Sequence, residues 1–278
     1  MEAEVIVAYV VCDDTIKNLK IREDKQTTMG IAEVMTTSIV SAIMFSGNME
    51  KARRTLKSKR YFPNMLSKSQ FNRRLYKVPE KAWTAVSKVL FFELNKENLD
   101  LEFVVDSCPI SASKLARSSR SKRYKNKEFF GYCAAQKEYF FGVKLHMICN
   151  IKGVPFQIYL SPGSHNDIRA LKEMNLDLPK NSIIYGDKGY NDYKYEDQLV
   201  QEKQLHFLPI RKKNSKKIKS FYSALRRKKR KIIETAFSCI ERLMPRSIHS
   251  VTRIGFELKI MLFVLGYTFN HMISKVTT

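Results

Sequence analysis

The chain of 278 residues is poor in cysteine, in acids and in long apolar runs, and each shortage excludes something. Its five cysteines (Cys12, Cys108, Cys133, Cys149 and Cys239) are odd in number, scattered and never spaced CxxC, so neither a disulfide scaffold nor a zinc framework follows from them. Reduced thiols in a cytoplasmic protein are the expectation. The longest apolar-looking stretch, Ile260 to Ile273, has 14 residues and includes Asn270 and His271. A bilayer span needs about 20. The opening Met-Glu-Ala-Glu is acidic where a secretory signal would be basic. The basic residues do not alternate with Trp or Leu along one helical face, so no membrane partner is expected. There is no internal repeat.

What is abundant is positive charge. Fifty Lys and Arg stand against 27 Asp and Glu, a net charge of +23, while a hydrophobic content of 44% is that of a folded protein. Such an excess calls for a polyanion. The cations gather in three places, 51–60, 114–127 and 211–231. The last holds 12 Lys or Arg in 21 residues and no acid.

Residues 28–98 carry helical signals. Ile31, Val34, Met35, Ile39 and Ala42 recur at helical spacing, and Gly47-Asn48 makes a turn before a basic segment, 49–60. Pro63-Asn64 breaks the chain, Ser67 is placed to cap a helix bearing Phe71, Leu75 and Val78, and Pro79 opens another through Trp83 to about Asn95. From Leu101 the texture becomes β-branched. Leu-Glu-Phe-Val-Val-Asp reads as a strand ending at Asp106 and halted by Pro109. The alternation of Phe141, Val143, Leu145 and Met147 with Gly142, Lys144 and His146 predicts a half-buried hairpin with 154–160. Helix, strand (182–187), helix, strand (205–210) follow, then a helix with the stripe Ile233, Ala236, Phe237, Ile240 and a last apolar helix, 256–271. Trp83 and the Phe-rich strands read as core rather than as stacking platforms.

The expected fold is thus α/β, a mixed sheet flanked by helices (100–278, with a basic insert at 211–231) behind a smaller all-helical domain (1–99). The first and fourth strands are expected side by side in parallel, and open α/β sheets place their sites at such strand ends.

Three acids stand out by position. Asp106 ends the first strand, Asp187 ends the fourth, and Glu234 lies on the helix after the basic run. Clustered carboxylates repel unless a cation neutralises them, and a set of hard oxygens suits Mg²⁺. An Asp at a strand end is also a common turn residue, and a lone Glu on an amphipathic helix is commonly solvated. Spacing alone leaves both readings open. His146 and His165 are further polar candidates, His146 with the pattern of a sheet-face residue.

The sequence resembles bacterial insertion-sequence transposases of the DDE class, in particular the insertion sequence 982 group. The resemblance is carried by Ser-Gly-Asn-Met-Glu-Lys-Ala (46–52), Leu-Ser-Lys-Ser-Gln-Phe-Asn-Arg-Arg-Leu (66–75), Val-Val-Asp-Ser (104–107) and Phe-Gly-Val-Lys-Leu-His (141–146). Gly-Asp-Lys-Gly-Tyr (186–190), Ile-Glu-Thr-Ala-Phe-Ser (233–238) and Ile-His-Ser-Val-Thr-Arg-Ile-Gly-Phe-Glu-Leu-Lys (248–259) complete it, in the right order. It implies an RNase H-like catalytic domain in which Asp106, Asp187 and Glu234 bind two Mg²⁺ or Mn²⁺ ions, with Arg230, four residues before the Glu, holding a phosphate. Related groups have a Tyr seven residues before that Glu and a Lys seven after it. Here those positions are Arg227 and Glu241, so neither role carries over.

The resulting expectation is a DNA transposase of the bacterial cytoplasm that cuts element ends and joins them to target DNA, acting on double-stranded terminal repeats, with a homodimer on DNA. A metal nuclease of similar fold, or an inert element-derived DNA-binding protein, are the alternatives. Lys188, Lys212, Lys213, Arg226 and Arg227 are expected on phosphates. Asn72, Arg73 and Arg74 are expected toward DNA from a possible helix-turn-helix, as Arg and Asn suit guanine and adenine edges.

Overall fold

The computed structural model describes residues 1–24, 26–97, 100–134, 136–211 and 223–277, with side chains in the last range from residue 228. The chain forms two compact units: Met1–Glu97 with Cys239–Ser250 and Ile254–Thr278, and Asn98–Ser238 with Val251–Arg253. The C-terminal helix, taken from sequence with the sheet, packs with the N-terminal helices.

The first unit contains α1 (Glu2–Asn18), α2 (Ile31–Phe45), α3 (Met49–Ser58), α4 (Lys68–Leu75), α5 (Glu80–Leu94), the end of α8 (Ser223–Leu243) and nearly all of α9 (Arg253–Thr277). The sequence periodicity of α2 suggests one buried stripe, yet every residue from Val34 to Ala42 is buried. Its hydroxyls make this possible. Thr36, Thr37, Ser38 and Ser41 each donate to a carbonyl one turn back, at 2.7–2.8 Å, so no polar group is left bare. The turn to α3 uses Gly47 at φ +75°, where a Cβ would meet the Phe263 ring at 2.8 Å. Ser67 caps α4 in a reciprocal box with Gln70, and Pro79 precedes α5. Helix α1 precedes the first element read from sequence, at residue 28, and fits the expected all-helical region 1–99.

The second unit is built on a six-stranded mixed sheet in the order β2-β3-β1-β5-β6, with β4 also paired to β3. The strands are β1 (Glu102–Ser113), β2 (Phe130–Cys133), β3 (Glu138–Asn150), β4 (Pro155–Pro162), β5 (Ile183–Gly186) and β6 (His206–Pro209). The helices α6 (Asp167–Glu173) and α7 (Tyr193–Lys203) link β4 to β5 and β5 to β6. Strands β1, β5 and β6 are parallel, and β3 is antiparallel to β1, β2 and β4. This is the RNase H-like α/β arrangement, with the first and fourth predicted strands adjacent and parallel.

Three expectations change. Pro109 does not halt β1, which runs on to Ser113. Beyond Val104 it is paired to β3 alone among the described residues, and a one-sided strand tolerates a residue without a donor. Strand β3 is not half-buried: with partners on both edges and layers on both faces, nearly every residue from Phe140 to Asn150 is shielded. And the aromatics are not all core. Trp83, Phe140, Phe141 and Phe156 are buried, but Phe130, Tyr132 and Tyr139 are exposed.

All five cysteines are free thiols. Burial raises the Cys12 thiol to about 12, so it stays protonated. No described helix is long and apolar enough to cross a membrane.

Candidate active site

Strand register brings the first two acids together. Val104 of β1 lies opposite Tyr185 of β5, and Asp106 and Asp187 each stand two residues further on, where the parallel pairing has ended. The third side of the site comes from α8, anchored by the buried stripe Ile233, Ala236, Phe237 and Ile240. Arg230 and Glu234, one turn apart, lie on its other face.

The centre of the cluster is the Arg230 guanidinium. Its Nη1 donates to Asp187 Oδ1 at 3.2 Å, and its Nη2 to Asp106 Oδ2 and Glu234 Oε1, both at 3.1 Å. The three carboxylates singled out from sequence therefore converge, and they converge on a cation. Burial pushes the Asp106 carboxyl above its usual range, against the pull of Arg230 and of the Ser107 backbone N–H. Burial also works against the charged guanidinium, but Asp106 and Asp187 outweigh it and Arg230 is held more firmly protonated. Among the described residues no three His, Cys, Asp or Glu side chains stand close enough, as placed, to hold a metal ion. The donor set nonetheless fits one. It consists of hard carboxylate oxygens gathered about a single positive group.

Behind Asp106, on the opposite face of β1, lies a polar network that sequence reading did not assemble. Ser107 Oγ donates to Asp167 Oδ1 at 2.9 Å, and Lys144 Nζ reaches the same oxygen at 3.3 Å and the His165 carbonyl at 2.9 Å. His146 is fully buried between Ser161 Oγ (2.9 Å) and the Tyr190 hydroxyl (3.4 Å). Tyr190 ends the turn that begins at Asp187, so the network ties together the two segments bearing the aspartates. The available signals were Ser107 beside Asp106 and Tyr190 beside Asp187. Asn166 caps α6, its side chain accepting from the Arg169 N–H. His165 is placed with this network and not with the three acids.

Burial lowers His146 from the ordinary 6.5 to about 4. Unfolded, it takes up a proton as pH falls through about 6.5; folded, it does not until about 4. Its contribution is present above pH 6.5 and is lost between 6.5 and 4, a loss on the order of 3 kcal/mol. The melting temperature of His146→Gln is expected to fall less than wild type's over that window. Parallel curves would exclude His146 as a source of acid sensitivity.

The basic run is less free than its composition implies. Arg211 forms a two-pronged pair with Glu196, both bonds 2.6 Å, and also donates to Asn191. Lys229 bonds Glu102 and the Tyr185 hydroxyl. Lys228 and Lys231 are exposed. Lys212 and Lys213 lie outside the described residues, as do the side chains of Arg226 and Arg227, which belong to α8. Lys188 is exposed beside Asp187. Because Glu196 is buried, Arg211→Ala is expected to destabilise the fold by about 3–5 kcal/mol. A denaturant midpoint within error of wild type would contradict this.

In the helical unit, Arg73 is exposed and Asn72 partly so. Arg74 departs from expectation. It donates to the Met29 carbonyl at 3.0 Å and pairs with Glu23, which holds the segment before α2 in place.

The transposase DDE domain family matches residues 98–269, more than half of the sequence. The chain belongs to that family. No curated protein matches it. As a DDE transposase domain it falls among polynucleotidyl transferases that act on DNA and generally use divalent metals. The match runs past the sheet into α9, so the family region includes helices that pack with the N-terminal unit.

Proposed function

We propose that this chain is an insertion-sequence transposase of the 982 group, which cuts DNA at element ends and joins the freed ends to target DNA. The observation that carries this reading is the meeting of Asp106, Asp187 and Glu234 from three separate elements around one cation. Asp106, Asp187 and Glu234 would hold the divalent ions, two Mg²⁺ or Mn²⁺, which supply charge stabilisation to the attacking and leaving oxygens of a phosphodiester.

In the first reaction a P–O3′ bond at the element end is hydrolysed, leaving a 3′-hydroxyl and a 5′-phosphate. In the second, that 3′-oxygen bonds to a target phosphorus as the target's own P–O3′ bond breaks. The chain's task is to align the reacting strand and stabilise developing charge. Arg230 and Lys188, which flanks Asp187, would pair with phosphates, and the basic run, including Lys212, Lys213, Arg226 and Arg227, would track the backbone. The α3–α4 region would read the terminal repeats through Asn72 and Arg73. Two ends must meet, so a dimer on DNA belongs to the same proposal.

The test is a joining assay with precut end fragments and a target plasmid in Mg²⁺ or Mn²⁺. Joined products are expected. Cleavage without joining would leave only the nuclease reading, and neither reaction would favour an inert DNA-binding protein.

A further inference from the structure

The β2–β3 hairpin carries surface chemistry that the three-acid site does not use. Phe130 lies opposite Phe141 and Tyr132 opposite Tyr139, so all four rings share one face. Their centroids are 4.8 and 5.0 Å apart within each pair. The other face is taken by Phe140, whose ring packs so tightly over Gly131 that a Cβ there would come within 2.5 Å. On the aromatic face Phe141 is itself buried, and the rings that reach solvent are Phe130, Tyr132 and Tyr139. Phe130 is 41%, Tyr132 49% and Tyr139 67% exposed, large values for rings that the interior would otherwise bury.

The surroundings select a partner. A cleft of about 480 Å³ beside Phe130 and Phe141 is lined by Ser118, Arg120, Lys122 and Lys125. Among the described residues none of those three cations is paired with a carboxylate. Between residues 114 and 141 there are eight Lys or Arg and two acids, Glu128 and Glu138. A second copy of the chain would set like charges against like. A polyanion with exposed π-faces suits both halves of the patch, and within a duplex those faces are covered by neighbouring bases.

We infer that the β2–β3 hairpin and the 114–127 loop form a stacking platform for unpaired bases of a DNA strand, with the loop cations on its phosphates. The inference rests on the transposase reading and adds to it the form of DNA bound.

The experiment measures binding of the full chain to an oligothymidylate and to a blunt duplex of equal length, at one salt concentration. Tyr132→Ala/Tyr139→Ala is expected to weaken single-strand binding by about ten-fold or more, with duplex affinity within about two-fold and Tyr132→Phe/Tyr139→Phe restoring it. Equal losses on both DNAs, or no loss on either, would overturn the platform. So would unchanged single-strand binding accompanied by a shift from dimer to monomer in sedimentation, which would make the face a self-association surface. Cleavage of a duplex carrying an element end by Asp106→Asn, measured beside these binding curves, separates the two proposals. If that variant loses cleavage while the tyrosine pair changes nothing, only the platform falls. If that variant cuts like wild type, the transposase reading falls.

Discussion

Asp106→Asn is expected to lose metal-dependent cleavage by on the order of 10²–10³-fold or more while its affinity for DNA stays level or rises. The substitution keeps the shape of the side chain and removes its charge. Asp106 is the most shielded of the three acids and sits on the strand that also carries Ser107, so neighbouring packing should survive. The opposite signs of the two effects give the test its power. Losing a negative charge next to a phosphate path cannot weaken electrostatic attraction. A residue that merely supported the fold would lower cleavage and affinity together. Asp187→Asn and Glu234→Gln are expected to behave alike, since all three acids converge on one point. Glu173→Gln, a carboxylate bonded to Arg169 and Tyr159 on α6, should cut like wild type. Cleavage by the Asp106 variant within a few-fold of wild type would remove the acid cluster as the reacting site.

The cluster was legible in the sequence because its parts sit where patterns end. Asp106 follows a β-branched run, Asp187 follows Ile-Ile-Tyr-Gly, and Glu234 adjoins a helical stripe. Periodicity places such residues on elements, and parallel pairing of β1 with β5 does the rest. What periodicity does not report is what lies between elements. The network of Ser107, Asp167, His146 and Tyr190 joins residues from four segments, and no local spacing marks it. The same limit explains α2, where hydroxyls look like an exposed face until their bonds to the preceding turn are seen. It also explains the basic run. Composition counts cations, but Arg211 and Lys229 have partners at Glu196 and Glu102, distant in sequence. On the β2–β3 hairpin, aromatic content alone pointed to core; strand register shows which rings face outward.

Arg230→Gln is expected to destabilise the metal-free protein and, at the same time, to tighten its binding of Mn²⁺ by about ten-fold, or about 1.4 kcal/mol. Three carboxylates held within 3.2 Å of a single guanidinium leave the cluster with excess negative charge, and removing that guanidinium leaves more. Without metal the acids then repel one another across a half-buried site, which lowers the melting temperature. A divalent ion meets a deeper potential and no longer competes with a tethered cation. Coulomb energies between unit charges at such distances near a protein surface are several kcal/mol before solvent screening, so a ten-fold change is a modest demand. The i,i+4 spacing keeps Arg230 beside Glu234, so under the proposed function the guanidinium would have only to turn from the carboxylates toward a DNA phosphate. Calorimetric titration with Mn²⁺ in the absence of DNA reads this directly, apart from any cleavage. If the variant binds Mn²⁺ no more tightly than wild type, Arg230 is not the counter-ion that the metal replaces, and its bonds to the acids are a packing feature alone.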